Sequence, residues 1–343
     1  MRIGLLTGGG DCPGLNGVIR AAVTQGIRVH GDQFVGYLDG WRGPLERDSV
    51  PLGLEDVREI LPVGGTILGT SRTNAGRDDR IEQIKANLAA DGIDALVPIG
   101  GEDTLGAATR LAAAGVRCVG VPKTIDNDLS GTDVTFGFTS AVEIATEAVD
   151  RVRTTSRSHH RGLVVEVMGR HAGWIALQVG LAASAAAALI PEVEFSLDDV
   201  ARRVRDLVAA RRDAVVVVAE GAVPRADAVA ADTGAAVDEF GHVQVGGIAS
   251  YLADEISARA GVDTRSVVLG HVQRGGTPCA FDRVLTTRLG AAAVDALHRG
   301  ESGVMMALHG TLIETVPLTQ ATGTLKTVPP EMLAAYSPLF AAA

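Results

Sequence analysis

The run Arg2-Ile3-Gly4-Leu5-Leu6-Thr7, followed at once by Gly8-Gly9-Gly10-Asp11-Cys12-Pro13-Gly14-Leu15-Asn16-Gly17, decides the fold. A short, mostly apolar run of this kind reads as a strand covered on both faces. From Leu15 to Val29 the apolar residues recur at helical spacing, so a helix begins where the glycine-rich turn ends. Strand, tight turn and helix together open a parallel α/β unit. The alternation continues outward. Ala95–Ile99, Arg117–Val121, Leu163–Met168, Ala214–Ala219 and Ser266–Leu269 read as strands. Between them Ile81–Ala90, Leu105–Ala114, Ala141–Ser156, Leu197–Ala210 and Gly247–Ala260 read as helices, the third opened by a Ser140/Glu143 capping box. The expected architecture is two α/β domains with mainly parallel sheets flanked by helices, changing over near Phe138. Gly221–Gly246, rich in Ala, Asp and Gly, reads as an exposed excursion, and no fixed-period repeat is present.

Composition bounds the function. At roughly 150 residues per domain, the 343 residues make two domains or one large one. A formal net charge of -10 repels phosphodiester backbones and anionic lipid surfaces, which argues against nucleic-acid and membrane partners. With 46% hydrophobic and 21% charged residues, the chain can bury enough apolar surface to fold. Its 42 glycines exceed the usual share of about 7%, which directs attention to glycine turns. Cys12, Cys118 and Cys279 are too scattered for a disulfide framework or a Cys-based zinc site. A reducing, cytoplasmic setting is expected, and the N-terminal apolar run is too short for a signal peptide. Trp174 to Ile190 is the nearest approach to a membrane span, but Gln178 and Ser184 interrupt it. It falls short of about 20 apolar residues and reads as a buried helix.

In open α/β sheets, ligands gather outside the carboxyl ends of the strands. The loop Gly8 to Gly17 offers backbone N–H groups and a helix N-terminus to an anion, or is simply a tight turn. It departs from the dinucleotide fingerprint because Pro13 occupies the third glycine position, which disfavours a nucleotide-dependent dehydrogenase; no Gly-Lys-Ser/Thr of a P-loop occurs. The second loop is Gly100-Gly101-Glu102-Asp103-Thr104. Acids beside a phosphate cradle call for an intervening cation such as Mg²⁺, unless they only complement the helix dipole. The third is Pro122-Lys123-Thr124-Ile125-Asp126-Asn127-Asp128. Its two carboxylates suit a base on a hydroxyl beside a group that orients metal or substrate, the alternative being a solvated acidic turn. Three such loops at three strand ends could converge on one crevice.

Of 31 basic residues only Lys85, Lys123 and Lys326 are lysines, so a lysine within the acidic loop runs against the chain's habit. Arg72, Arg161, Arg170, Arg265 and the group His271-Val272-Gln273-Arg274 add cations. Taken singly these are surface residues; converging, they suit a substrate with more than one phosphate.

These motifs, with Val167-Met168-Gly169-Arg170 and Leu269-Gly270-His271-Val272-Gln273-Arg274-Gly275-Gly276, resemble 6-phosphofructokinases along nearly the whole chain. The resemblance implies Mg²⁺-dependent phosphoryl transfer to the 1-hydroxyl of fructose 6-phosphate, with the active site in the cleft between two α/β domains. Residues 1–137 plus about 273–323 would form the donor domain, and 138–272 plus about 324–343 the fructose 6-phosphate domain. Asp126 would be the general base that accepts the sugar hydroxyl proton, Thr124 and Asp128 would flank the sugar and metal, and Arg170, Arg72 and the Gly10 backbone would stabilise the transferring phosphoryl group. Met168, Gly169, Glu220, His271 and Arg274 would hold the sugar phosphate. Thr124 and Arg170 would touch it too, and Glu102 would take the metal. Arg161 and Arg265 resemble arginines that reach in from a neighbouring subunit, implying a homo-oligomer, a dimer or tetramer with shared active sites.

Departures from the family's ATP-using pattern single out the donor. Asp103 and Lys123 stand where ATP-using bacterial members typically carry glycine, and the resemblance associates Asp and Lys there with pyrophosphate. Glu102 replaces the usual Asp. A carboxylate at 103 occupies the space of a nucleotide α-phosphate and repels it, by ~4 kcal/mol for unit charges about 4 Å apart at an effective dielectric near 20. Two rivals are the ATP-dependent form of the same enzyme and a non-catalytic sugar-phosphate-binding regulator; Asp126 argues against the latter.

Overall fold

A computed structural model describes residues 1–225 and 247–340. The excursion read at Gly221–Gly246 therefore lies, from 226 onward, outside the described residues. The chain divides into two compact units: unit 1 is Met1–Ser140 with Arg274–Leu325, and unit 2 is Ala141–Gln273 with Lys326–Ala343. The strands are β1 (Arg2–Thr7), β2 (Gln33–Tyr37), β3 (Ser49–Leu52), β4 (Ala95–Gly100), β5 (Val119–Thr124), β6 (Phe136–Gly137), β7 (Gly162–Val167), β8 (Ala187–Leu189), β9 (Ala214–Ala219), β10 (Thr264–Val268), β11 (Val304–His309) and β12 (Leu312–Pro317).

Unit 1 carries an eight-stranded sheet in the order β12-β11-β5-β4-β1-β2-β3, with β6 beside β5. Its inner strands are parallel, and only the edge pairs β2–β3 and β11–β12 run antiparallel. β4 is buried along its whole length, as a run without polar alternation requires when helices cover both faces. Chain order reverses at β1, which has β2 on one side and β4 on the other. The crevice outside such a switch point is where doubly wound sheets bind ligands, and the Gly8–Gly10 and Gly101–Asp103 turns leave from these two strands.

Unit 2 carries a four-stranded, all-parallel sheet in the order β10-β7-β9-β8. A valine-rich β9 lies fully buried inside it, and Leu197–Ala209 covers it with the stripe Leu197, Val200, Ala201, Val204 and Leu207. The Glu166 carboxylate, buried on β7, accepts the Ala249 amide at 3.0 Å at the start of the Ile248–Ala260 helix, satisfying an orphan donor there.

Several sequence expectations need correction. The Ser140/Glu143 capping box does not form: that helix starts at Phe138, and the Ser140 hydroxyl donates to Asp282 instead. The third strand runs Val119–Thr124 rather than Arg117–Val121, so Lys123 and Thr124 are strand residues. Trp174–Ile190 is not one helix but a helix, Trp174–Ala182, followed by β8. Among the described residues no helix is long and apolar enough to cross a membrane. The helix from Leu15 is α-helical to Gln25 and ends in a π-turn, Gly26–His30. The Ala280–His298 helix, which packs along Leu15–Gln25, was not expected.

Candidate active site

In unit 1 the glycine turn after β1 is tied to its surroundings on every side. The Gly8 amide donates to Ile99 at 2.9 Å, extending the β1–β4 ladder, and the Gly9 carbonyl accepts the Thr70 hydroxyl at 2.6 Å. The Gly10 carbonyl accepts the Lys123 ammonium. Arg274 lies against the same residue and donates from Nη1 to the Asp11 carbonyl at 3.2 Å. A Cβ on Gly10 would come within 2.3 Å of that guanidinium, so only glycine lets the loop and Arg274 approach this closely.

Lys123 is 3% exposed. Burial pulls its ammonium below the ordinary lysine pKa; Arg274 adds to this, while Cys12, Asp126 and Asp11 oppose it. Arg72 is exposed, but the strand of chain leading to it is fixed. Thr7 donates to the Gly69 carbonyl at 2.8 Å, Ser71 to the Asp39 carbonyl at 2.6 Å, and the Asn16 amide brackets residues 63–67 by giving to Val63 and accepting from Ile67. The partners of Asn16 lie some fifty residues away in sequence, beyond any local signal.

Glu102 and Asp103 occupy the first turn of the helix Glu102–Ala113 and are both exposed. Their exposure weakens the repulsion expected of Asp103: at water's dielectric the same charge pair is worth about 1 kcal/mol rather than ~4 kcal/mol. The acidic loop after β5 is more confined. Asn127 takes a left-handed conformation, φ 53°, which asparagine tolerates better than most residues. Its Oδ1 accepts the Thr135 amide at 3.0 Å, and the Thr135 hydroxyl donates to the Thr124 carbonyl at 2.8 Å. The reversal at Asn127 separates two half-buried carboxylates. The Thr124 hydroxyl accepts the Asp126 amide at 3.1 Å and also hydrogen-bonds Asp128. Burial, then the charges of Asp126 and Glu102, push the Asp128 carboxyl up to about 7, against the pull of the Thr124 bond.

Unit 2 brings a second set together. β7 ends at Val167, and Gly169 follows with φ 135° and its carbonyl accepting the Gly221 amide at 3.2 Å. The Glu220 amide donates to Val167 at 3.0 Å, so the loop bearing Met168, Gly169 and Arg170 is stitched to the end of β9. The Met168 amide donates to the buried Gln273 side chain at 3.3 Å, at the end of the turn Gly270–Arg274 that also carries an exposed His271. The Nε of Arg170 is buried without a hydrogen-bond partner. Arg161 and Arg265 meet through Asp263, at 3.4 and 3.1 Å. Of the residues read as sugar-phosphate contacts, Thr124 and Arg274 fall in unit 1 and the others in unit 2. Sequence reasoning missed Asp263, which two like charges side by side would have called for.

The chain belongs to the phosphofructokinase family, whose profile, described as Phosphofructokinase, matches residues 2–297. Over 332 residues it is 60% identical to an Amycolatopsis methanolica protein named pyrophosphate–fructose 6-phosphate 1-phosphotransferase, covering 96% of this chain and 97% of that one. A Streptomyces coelicolor protein named ATP-dependent 6-phosphofructokinase 3 is 54% identical over 331 residues, with 96% and 97% covered. Among solved structures, Pichia pastoris phosphofructokinase in the T-state matches 99% of this chain with a TM-score of 0.82 at 32% identity. This chain spans 36% of that longer one.

Proposed function

We propose that the protein transfers a phosphoryl group reversibly from pyrophosphate to the 1-hydroxyl of fructose 6-phosphate, giving fructose 1,6-bisphosphate and phosphate. The observation that carries the choice of donor is Asp103 in the first turn of the helix after β4. The greater identity to a relative named for pyrophosphate than to one named for ATP supports it.

In the proposed reaction the sugar O1 forms a bond to a phosphorus of pyrophosphate, the bridging P–O bond breaks, and the hydroxyl proton passes to Asp126 as phosphate leaves. Thr124 fixes the base by accepting its amide. Gly10 amide, Arg72 and Arg170 stabilise charge on the transferring group. Lys123 braces the Gly10 carbonyl and adds positive charge for the donor. Unit 1 serves the donor, and Met168, Gly169, Glu220, His271, Arg161, Arg265 and Arg274 serve the sugar phosphate.

Among the described residues no three His, Cys, Asp or Glu side chains form a closed metal cage. Asp128 nevertheless feels the charges of both Asp126 and Glu102. That donor set fits Mg²⁺, which binds through one or two carboxylates plus substrate phosphates; Glu102 and Asp128 would hold it. When bound it neutralises charge on the phosphoryl oxygens. The enzyme acts in the cytoplasm as a homo-oligomer, dimer or tetramer, in which Arg161 and Arg265 serve a neighbouring subunit. β10, on the sheet edge, carries Arg265 at 65% exposure, and Val268 and Val272 near it are exposed as well. Such an edge is normally covered or paired.

The test is initial velocity with fructose 6-phosphate and Mg²⁺, given either pyrophosphate or ATP. Turnover with pyrophosphate and background rates with ATP are expected; turnover with ATP alone would replace the donor, and sugar binding without turnover would favour the regulator.

A further inference from the structure

Asp282 stands apart from every residue given a role above. It is fully buried, in the first turn of the Ala280–His298 helix. Its Oδ2 accepts the Ser140 amide at 2.8 Å and the Ser140 hydroxyl at 2.6 Å, and the Cys279 thiol lies 3.7 Å away. The Ser140 hydroxyl accepts the Cys279 amide at 3.0 Å in return. The Gly137 amide also hydrogen-bonds this carboxyl.

Gly137 is the last residue of β6, and its partner in β5 is Thr124. β6 has only two residues, fewer than a strand normally needs to hold its own ladder. Yet Thr135, immediately before it, holds both Thr124 and Asn127. The 124–128 loop thus closes on a strand too short to fix itself, and Asp282 grips that strand from beneath. Burying a carboxyl is costly unless hydrogen bonds repay it, and the donors gathered here come from the segment just behind the loop. Burial pushes the Asp282 carboxyl up, although Ser140, Gly137 and Cys279 pull it down.

We propose that Asp282 is a positioning residue for phosphoryl transfer, setting β6 through Gly137 and Ser140 and, through β6, the placement of Thr124, Asp126 and Asp128. This rests on the reading of Asp126 as the base. The test is steady-state kinetics of Asp282→Ala and Asp282→Asn, per folded molecule, beside Asp126→Ser. Misplacing a reacting group costs up to about a hundredfold, so Asp282→Ala should lower kcat by about tenfold to a hundredfold. A residue acting only on the transition state leaves both KM values within about threefold. Asp282→Asn should recover part of the lost kcat, because its amide oxygen still accepts from the Ser140 amide and hydroxyl.

Full kcat in folded Asp282→Ala, or no rescue by Asp282→Asn, overturns the inference. Should Asp282→Ala not fold, Ser140→Ala removes the hydroxyl's bonds to Asp282 and to the Cys279 amide and keeps the carboxyl; a lowered kcat at constant KM is then expected, and unchanged kcat overturns it. Undiminished turnover in Asp126→Ser would instead sink the reading of the loop, whereas an inactive Asp126→Ser beside a fully active Asp282→Ala sinks this inference alone.

Discussion

The glycine and acidic loops of unit 1 and the paired arginines of unit 2 are prepared for anions by opposite means. In unit 1 the charged groups are locked by chain: Lys123 is buried on the Gly10 carbonyl, and the 124–128 loop is cinched by Thr135. In unit 2 Arg161 and Arg265, 28% and 65% exposed, share one solvent-facing carboxylate, Asp263. Exposed ion pairs contribute little to rigidity, whereas preorganised dipoles in a confined loop need no rearrangement when charge develops. On the proposed reading, the loop does the transition-state work and the arginine pair the ground-state capture.

The comparison breaks most visibly at Asp126. Asp126→Ser should lower turnover by about a hundredfold or more, the usual scale for a general base, with the KM for fructose 6-phosphate little changed. Equal loss of binding would mean the carboxylate is structural. Arg161→Ala or Arg265→Ala should do the reverse, raising the sugar-phosphate KM by about tenfold for a lost charge-assisted contact while kcat stays within about twofold. A fall in kcat at constant KM would place these arginines with the loop after all.

The smallest effect is one of stability. The fold holds Asp128 up to about 7, while an unfolded Asp loses its proton near about 3.9. Between those values the unfolded chain has released a proton that the native state retains, so stability falls as pH rises through that window. Denaturant midpoints of the wild type in Mg²⁺-free buffer, referred to Asp128→Asn, should therefore decline from about pH 4 to about pH 7. A flat difference would show that Asp128 is not held protonated.

Burial alone did not make a strand legible in sequence, since the largely buried β2 and β11 were missed. β1 and β9 end where their apolar runs end, and the loops behind β1, β4 and β5 carry the candidate residues read from them. The edge strands β3 and β12 were missed because their residues are mostly exposed or only partly buried and carry no apolar run. The Ala280–His298 helix was missed because its buried stripe is interrupted by Asp282, Thr286 and Gly290, which carry no apolar signal. Within the site, side-chain identities were legible but their restraints were not. Asp282 reaches Ser140 across 142 residues, and Lys123 finds Gly10 across 113, distances over which spacing carries no information. Asp103 was read as though confined, and its exposure could only be learned from the fold.

Asp103 is therefore where measurement weighs most: the ratio of kcat/KM for pyrophosphate to that for ATP, in the wild type and in Asp103→Gly. The expected result is strong preference for pyrophosphate in the wild type and a shift toward ATP in the variant of about fivefold to a thousandfold, the span between fully solvated and confined charge repulsion. A wild type that prefers ATP, or a ratio unmoved by the substitution, would contradict the assignment of the donor to this one side chain.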